Sequence, residues 1–110
     1  MREIKFRVWS VRGKLIRSWE YVRDFRIGRL NDHDDYIPMQ FTGLLDKNGK
    51  EIWEGDVLEY YSSVVAKGAN PIIQQVVEWK EWHYEGIRNW KQSEVIGNIY
   101  ENPELLERQK

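Results

Sequence analysis

The sequence predicts a mainly β protein, a small SH3-like barrel or roll with an N-terminal hairpin extension and a short C-terminal helix. Apolar and polar residues alternate over short runs, and turns rich in Gly and Asn recur roughly every ten residues. Two tight turns in "DKNGKEIWEGDV" suit a sheet that curls, because Gly accepts the backbone that a barrel corner demands. With 110 residues, one domain is expected. Residues 1–42 supply a hairpin and loop, and residues 43–110 supply the barrel portion.

Taken in order, "EIKFRVW" alternates, with Ile4, Phe6 and Val8 on one face and Lys5, Arg7 and Trp9 on the other. "SVRGK" turns the chain, and "LIRSWEYV" reads as the returning strand. Residues 23–38 are polar and irregular, and "MQFTG" after Pro38 reads as a short edge strand. Asp46, Asn48 and Gly49 form the first tight turn, anchored by Leu45, Ile52 and Trp53. Gly55 and Asp56 form the second, with Asp56 bracing it through its side chain. "VLEYY" is a strand, residues 62–71 an exposed loop, and "IIQQVVEWKEWHY" a further strand. "SEVIGNIY" is the last strand. The helix spans residues 103–109, with Asn102 as its cap and Pro103 at its first position.

Composition narrows the function classes. There is no Cys, which removes disulfides and thiolate chemistry and favours a cytoplasmic setting. No apolar run reaches the roughly 20 residues of a membrane helix, so no membrane partner is expected. Six Trp, six Tyr and three Phe exceed what so short a chain needs for its core, leaving some for an interface.

The net charge of −1 conceals a segregation. Residues 1–29 carry nine Lys/Arg against three Asp/Glu, and residues 30–60 carry two against eight. The basic segment can face phosphates, or pair with the acidic one within or between chains.

Candidate sites are few. A solvated acidic loop accounts best for His33, Asp34 and Asp35, which are the first residues to test should a metal bind. "DKNGKE" lacks the ligand pattern of a calcium loop. Glu54 and Asp56 flank Gly55, where carboxylates more often brace a turn than exchange protons. No catalytic residue and no cofactor is assigned. The interaction candidates are Arg7, Arg12, Arg17, Trp19, Trp79, Trp82 and Trp90.

Three blocks, "MREIKFRVW", "MQFTGLLDKNGKEIWEGDVLEY" and "EVIGNIYENPELL", stand in an order that resembles the YopX-like family of phage and prophage proteins. The Arg-rich residues 10–35 and the Trp-rich stretch 79–90 match no motif of that family. The resemblance implies an SH3-type barrel in the C-terminal part, homo-oligomers, no established catalytic residues, and a phage-encoded accessory role in the bacterial cytoplasm.

Two functions follow. The first is a non-enzymatic, self-associating interaction module, whose partner is a second copy or a host or phage protein and whose assembly loosens at high salt. The alternative is a nucleic-acid-binding accessory protein that uses the Arg-rich segment and the Trp cluster. An enzyme would require His33 or His83 to meet carboxylates in a cleft.

Overall fold

Alternation makes Phe6–Ser10 a strand, β1, and the turn after it returns the chain as β2, Leu15–Arg17. The two pair antiparallel, Trp9 facing Ile16. Lys14, at φ 56°, takes the left-handed position of this turn, and its amide donates to the Ser10 carbonyl. The computed structural model describes residues 3–23, 36–80 and 83–107. The chain is mainly β, a curled half-barrel sheet accompanied by small sheets, and it carries a short C-terminal helix.

The returning strand is shorter than the sequence suggests. It stops at Arg17, and Trp19–Val22 form a single helical turn, α1. Ser18 is the reason: with extended backbone ahead of Glu20, it starts a helix where a strand would continue. The Ser18 carbonyl accepts the amides of Tyr21 and Val22, and Val22 is buried.

β3, Tyr36–Leu45, replaces the short edge strand expected after Pro38, and its pairing with the next strand shifts register between Phe41 and Leu45, where Gly43 takes φ 88°. Its first half pairs with β1, Val8 facing Pro38, and its second half pairs with β4, Glu51–Trp53. The order is therefore β2-β1-β3-β4. Pro38 lies in the half whose other side has no ladder, so its missing N–H leaves no bond unmade.

β5, Asp56–Tyr61, lies between β6, Ile72–Val76, and β9, Glu94–Asn98. The single strand expected over residues 72–84 is instead interrupted at Val77. Its amide donates to the Asp56 carbonyl and its carbonyl accepts the Gly55 amide, at 2.9 and 2.8 Å. These bonds pull the chain out of the β6 ladder. It resumes as β7, Glu78–Lys80, paired with β8, His83–Glu85.

The final helix, α2, is Glu104–Glu107, and residues 108 and 109 of the expected span lie outside the described ones. Asn102 starts it through its backbone carbonyl, which accepts the Leu105 amide, while its side chain turns back to the Asn98 amide.

Ile52, Leu58, Val77 and Val95 form the core of the second half, flanked by Leu44, Tyr84, Ile87 and Trp90. Val8, Met39, Phe41 and Trp53 are buried between the halves. Leu45, expected to anchor the first turn, is 46% exposed, and Ile52 and Trp53 are buried beside it in the hairpin. Among the described residues no helix is long and apolar enough to cross a membrane.

Candidate functional site

The first tight turn is built on Asp46. Its Oδ1 accepts the amides of Asn48 and Lys50, and its Oδ2 accepts the Val95 amide from β9, all at 2.8–2.9 Å. Burial alone would raise the Asp46 pKa, but the three amide donors outweigh it and hold the carboxyl below its ordinary value. Gly49, at φ 79°, closes the turn, with nothing within 4 Å of where a Cβ would stand.

The second turn holds Asp56, which is almost fully buried. Its Oδ2 accepts the Trp53 amide at 2.8 Å, and its Oδ1 meets the Arg7 guanidinium at 2.5 Å. Burial pushes the Asp56 carboxyl up, and the Arg7 charge with the Trp53 amide opposes that rise. Arg7 Nε is buried with no hydrogen-bond partner among the described residues, so this cation serves one carboxylate rather than a network.

Arg7 also lies over the Trp53 ring, 5.1 Å from its centroid. Lys5, two residues earlier on the same face of β1, lies over Phe41 and pairs with Glu51, which raises its pKa. Beside these pairs, Ile16, Trp19 and Trp53 line a hollow of about 250 Å³. The segregated charges thus meet within the chain: Lys5 and Arg7 of the basic segment bind Glu51 and Asp56 of the acidic one.

The interaction candidates are divided among several places. Arg7 and Trp19 belong to the hollow, and Arg17 lies over Tyr21 at 4.7 Å. Arg12 sits in the exposed turn after β1. Trp90 packs on the core with Lys91 over its ring. Trp79 is half-exposed on β7 and meets Tyr84 edge to face. Trp82, His33, Asp34 and Asp35 lie outside the described residues, among which no group of three His, Cys, Asp or Glu could hold a metal. His83 is exposed beside Glu85, 3.4 Å away.

Sequence reasoning named Arg7 and Asp56 without joining them, and it missed Lys5 and Glu51. Lys5 carried a legible signal, since it shares a strand face with Arg7. Asn98 Oδ1 accepts the amides of Tyr100 and Glu101, and its Nδ2 donates to the Glu101 carboxylate, which closes the bend after β9.

Among the described residues a strongly exposed apolar group lies elsewhere, at the loop end of the β5–β6 hairpin. Tyr61 and Ile72 are cross-strand partners, 68% and 42% exposed, and Val64 in the adjoining loop is 90% exposed. β6 is a terminal strand of its sheet and carries no charged residue.

Residues 19–107 match the family model described as YopX protein. The structure is similar to the crystal structure of protein EF1440 from Enterococcus faecalis, at 28% identity and a TM-score of 0.68. That match covers 96% of this chain and 99% of the other. Among curated proteins none matches the chain.

Proposed function

The chain is a member of the YopX family, and on that premise we propose that it is a non-enzymatic, self-associating interaction module, phage- or prophage-encoded and acting in the bacterial cytoplasm. The observation that carries this reading is the apolar end of the β5–β6 hairpin. Tyr61 at the end of β5, Val64 in the loop and Ile72 at the start of the uncharged terminal strand β6 present side chains to solvent. Terminal strands that avoid pairing usually carry Lys, a bulge or a covering segment. Here a second copy can set its own hairpin end against the first and bury the three side chains in a two-fold contact.

The segregated charges support an apolar rather than an ionic contact, because Lys5 and Arg7 are already engaged with Glu51 and Asp56. The assembly therefore holds or tightens in high salt, whereas an ionic contact would loosen. The nucleic-acid alternative has less to draw on, with Arg7 committed to Asp56 and Trp90 to the core.

Size-exclusion chromatography with light scattering tests the proposal. A dimer or larger species is expected at micromolar concentration, reduced to a monomer by Tyr61→Ser combined with Ile72→Ser. A wild-type chain that stays monomeric, or a variant that assembles equally well, would overturn it.

A further inference from the structure

Between the first half of β3 and the strand β7 runs a groove of about 560 Å³, built from different strands than the β5–β6 hairpin end. Ile37 and Pro38 form one wall on the side of β3 that carries no ladder. Trp79 and Tyr100 form aromatic walls, and the Tyr100 ring is held by stacking on Trp9, with centroids 5.8 Å apart and planes 17° from parallel. Val77 and Gly55 line it, tied to each other by the Gly55 amide and the Val77 carbonyl. The groove is thus held by backbone bonds and ring stacking.

Its charge is specific. Glu54 stands on the groove beside Tyr100, and its carboxylate meets the Gln40 amide at a long 3.4 Å and pairs with no cation among the described residues. Glu78 and Lys80 both line the β7 side, 2.9 Å apart, so their charges offset each other and Glu54 supplies the net negative charge of the groove. Burial raises the Tyr100 phenol pKa and the nearby Glu54 charge adds to it, so the phenol stays neutral, and its ring face carries the negative side of the aromatic quadrupole.

Aromatic faces that flank a carboxylate suit a planar cation better than any neutral group. A guanidinium stacks on rings and hydrogen-bonds a carboxylate at its edge in the same pose, which an ammonium cannot match. Apolar walls of Ile37 and Pro38 suit the methylene stem that carries it. We propose that this groove binds an arginine side chain presented by a partner peptide, its guanidinium against Trp79 and Tyr100 and hydrogen-bonded to Glu54.

The proposal is independent of self-association and stands or falls separately. The test is a titration of the full chain by amide chemical shifts, with the peptide acetyl-Gly-Arg-Gly-amide as probe. The matching citrulline peptide, equal in shape but uncharged, is the control. Saturable shifts are expected at Gly55, Val77, Trp79, Ile99 and Tyr100, with the citrulline peptide bound about tenfold more weakly. Glu54→Gln should weaken the arginine peptide by a similar factor without altering the fold, since its side chain is only partly buried. Trp79→Ala should weaken it several-fold. Citrulline binding as tightly as arginine, shifts unaffected by Glu54→Gln, or no saturable shift into the millimolar range would each overturn the assignment.

Discussion

The turns at Asp46 and Asp56 each bury a carboxylate in the same hairpin region, yet they are satisfied by unlike partners. Asp46 is held by amides alone, two of them from its own turn. Asp56 receives one local amide and depends on a guanidinium from β1, 49 residues away in sequence. Both turns also reach across the fold, the first to the Val95 amide of β9, likewise 49 residues away. What differs is the partner, neutral amides in one and a charged guanidinium in the other. A motif dense in Asp, Glu and Gly therefore serves two structural purposes, and neither requires chemistry on a substrate.

The largest effect should come from removing the charged partner. Arg7→Met leaves Asp56 buried with a single amide donor and should cost about 3–5 kcal/mol in urea unfolding. Pairing it with Asp56→Asn should recover a good part of that loss, because no lone buried charge remains. Asp46→Ala removes three hydrogen bonds to backbone amides and should cost about 2–3 kcal/mol, measured in the same way.

The glycines sharpen the contrast. Gly55, at φ 90°, has Met39 Cε 3.1 Å and Tyr100 Cε2 3.4 Å from where a Cβ would stand, whereas Gly49 has open space. Gly55→Ala should therefore destabilise by about 2 kcal/mol, and Gly49→Ala by about 1 kcal/mol, the cost of backbone strain alone.

Acid titration gives the smallest and most diagnostic difference. The Asp46 carboxyl titrates below its ordinary 3.8 when folded. Its stabilisation is complete above 3.8 and is lost as pH falls through the lower folded value. Asp56 titrates above 3.8, so from there up to its folded value the folded chain holds more proton and stability falls as pH rises. Each slope is at most about 1.4 kcal/mol per pH unit. Asp46→Asn should flatten the acid limb, and Asp56→Asn should remove the opposing slope. The same sign of change in both variants would contradict the assignment.

The same contrast explains what the sequence made legible. The mainly β class, the two tight turns and the alternation of β1 are local, and each rests on residues within a few positions of one another. The helical turn at Trp19–Val22 was signalled by Ser18 and overridden in the reading by the apolar run around it. The break at Val77 was invisible, because it is imposed by Gly55 and Asp56 from another segment. Arg7 and Asp56 could each be singled out, but their pairing needs the register of β1 on β3 and of β3 on β4, which no local pattern encodes. The groove at Trp79 had half a signal, an exposed aromatic strand, and Tyr100 and Glu54 reach it only through the fold.

The position of Arg7 bears on where this unit can be cut. The family match begins at residue 19, whereas the likeness to EF1440 spans 96% of the chain. A fragment trimmed to the matched residues would keep Asp56 and lose the cation that neutralises it, along with Val8 from between the halves. A boundary drawn at residue 19 would therefore leave a buried carboxylate without its cation, and such a fragment is expected to be less stable than the full chain.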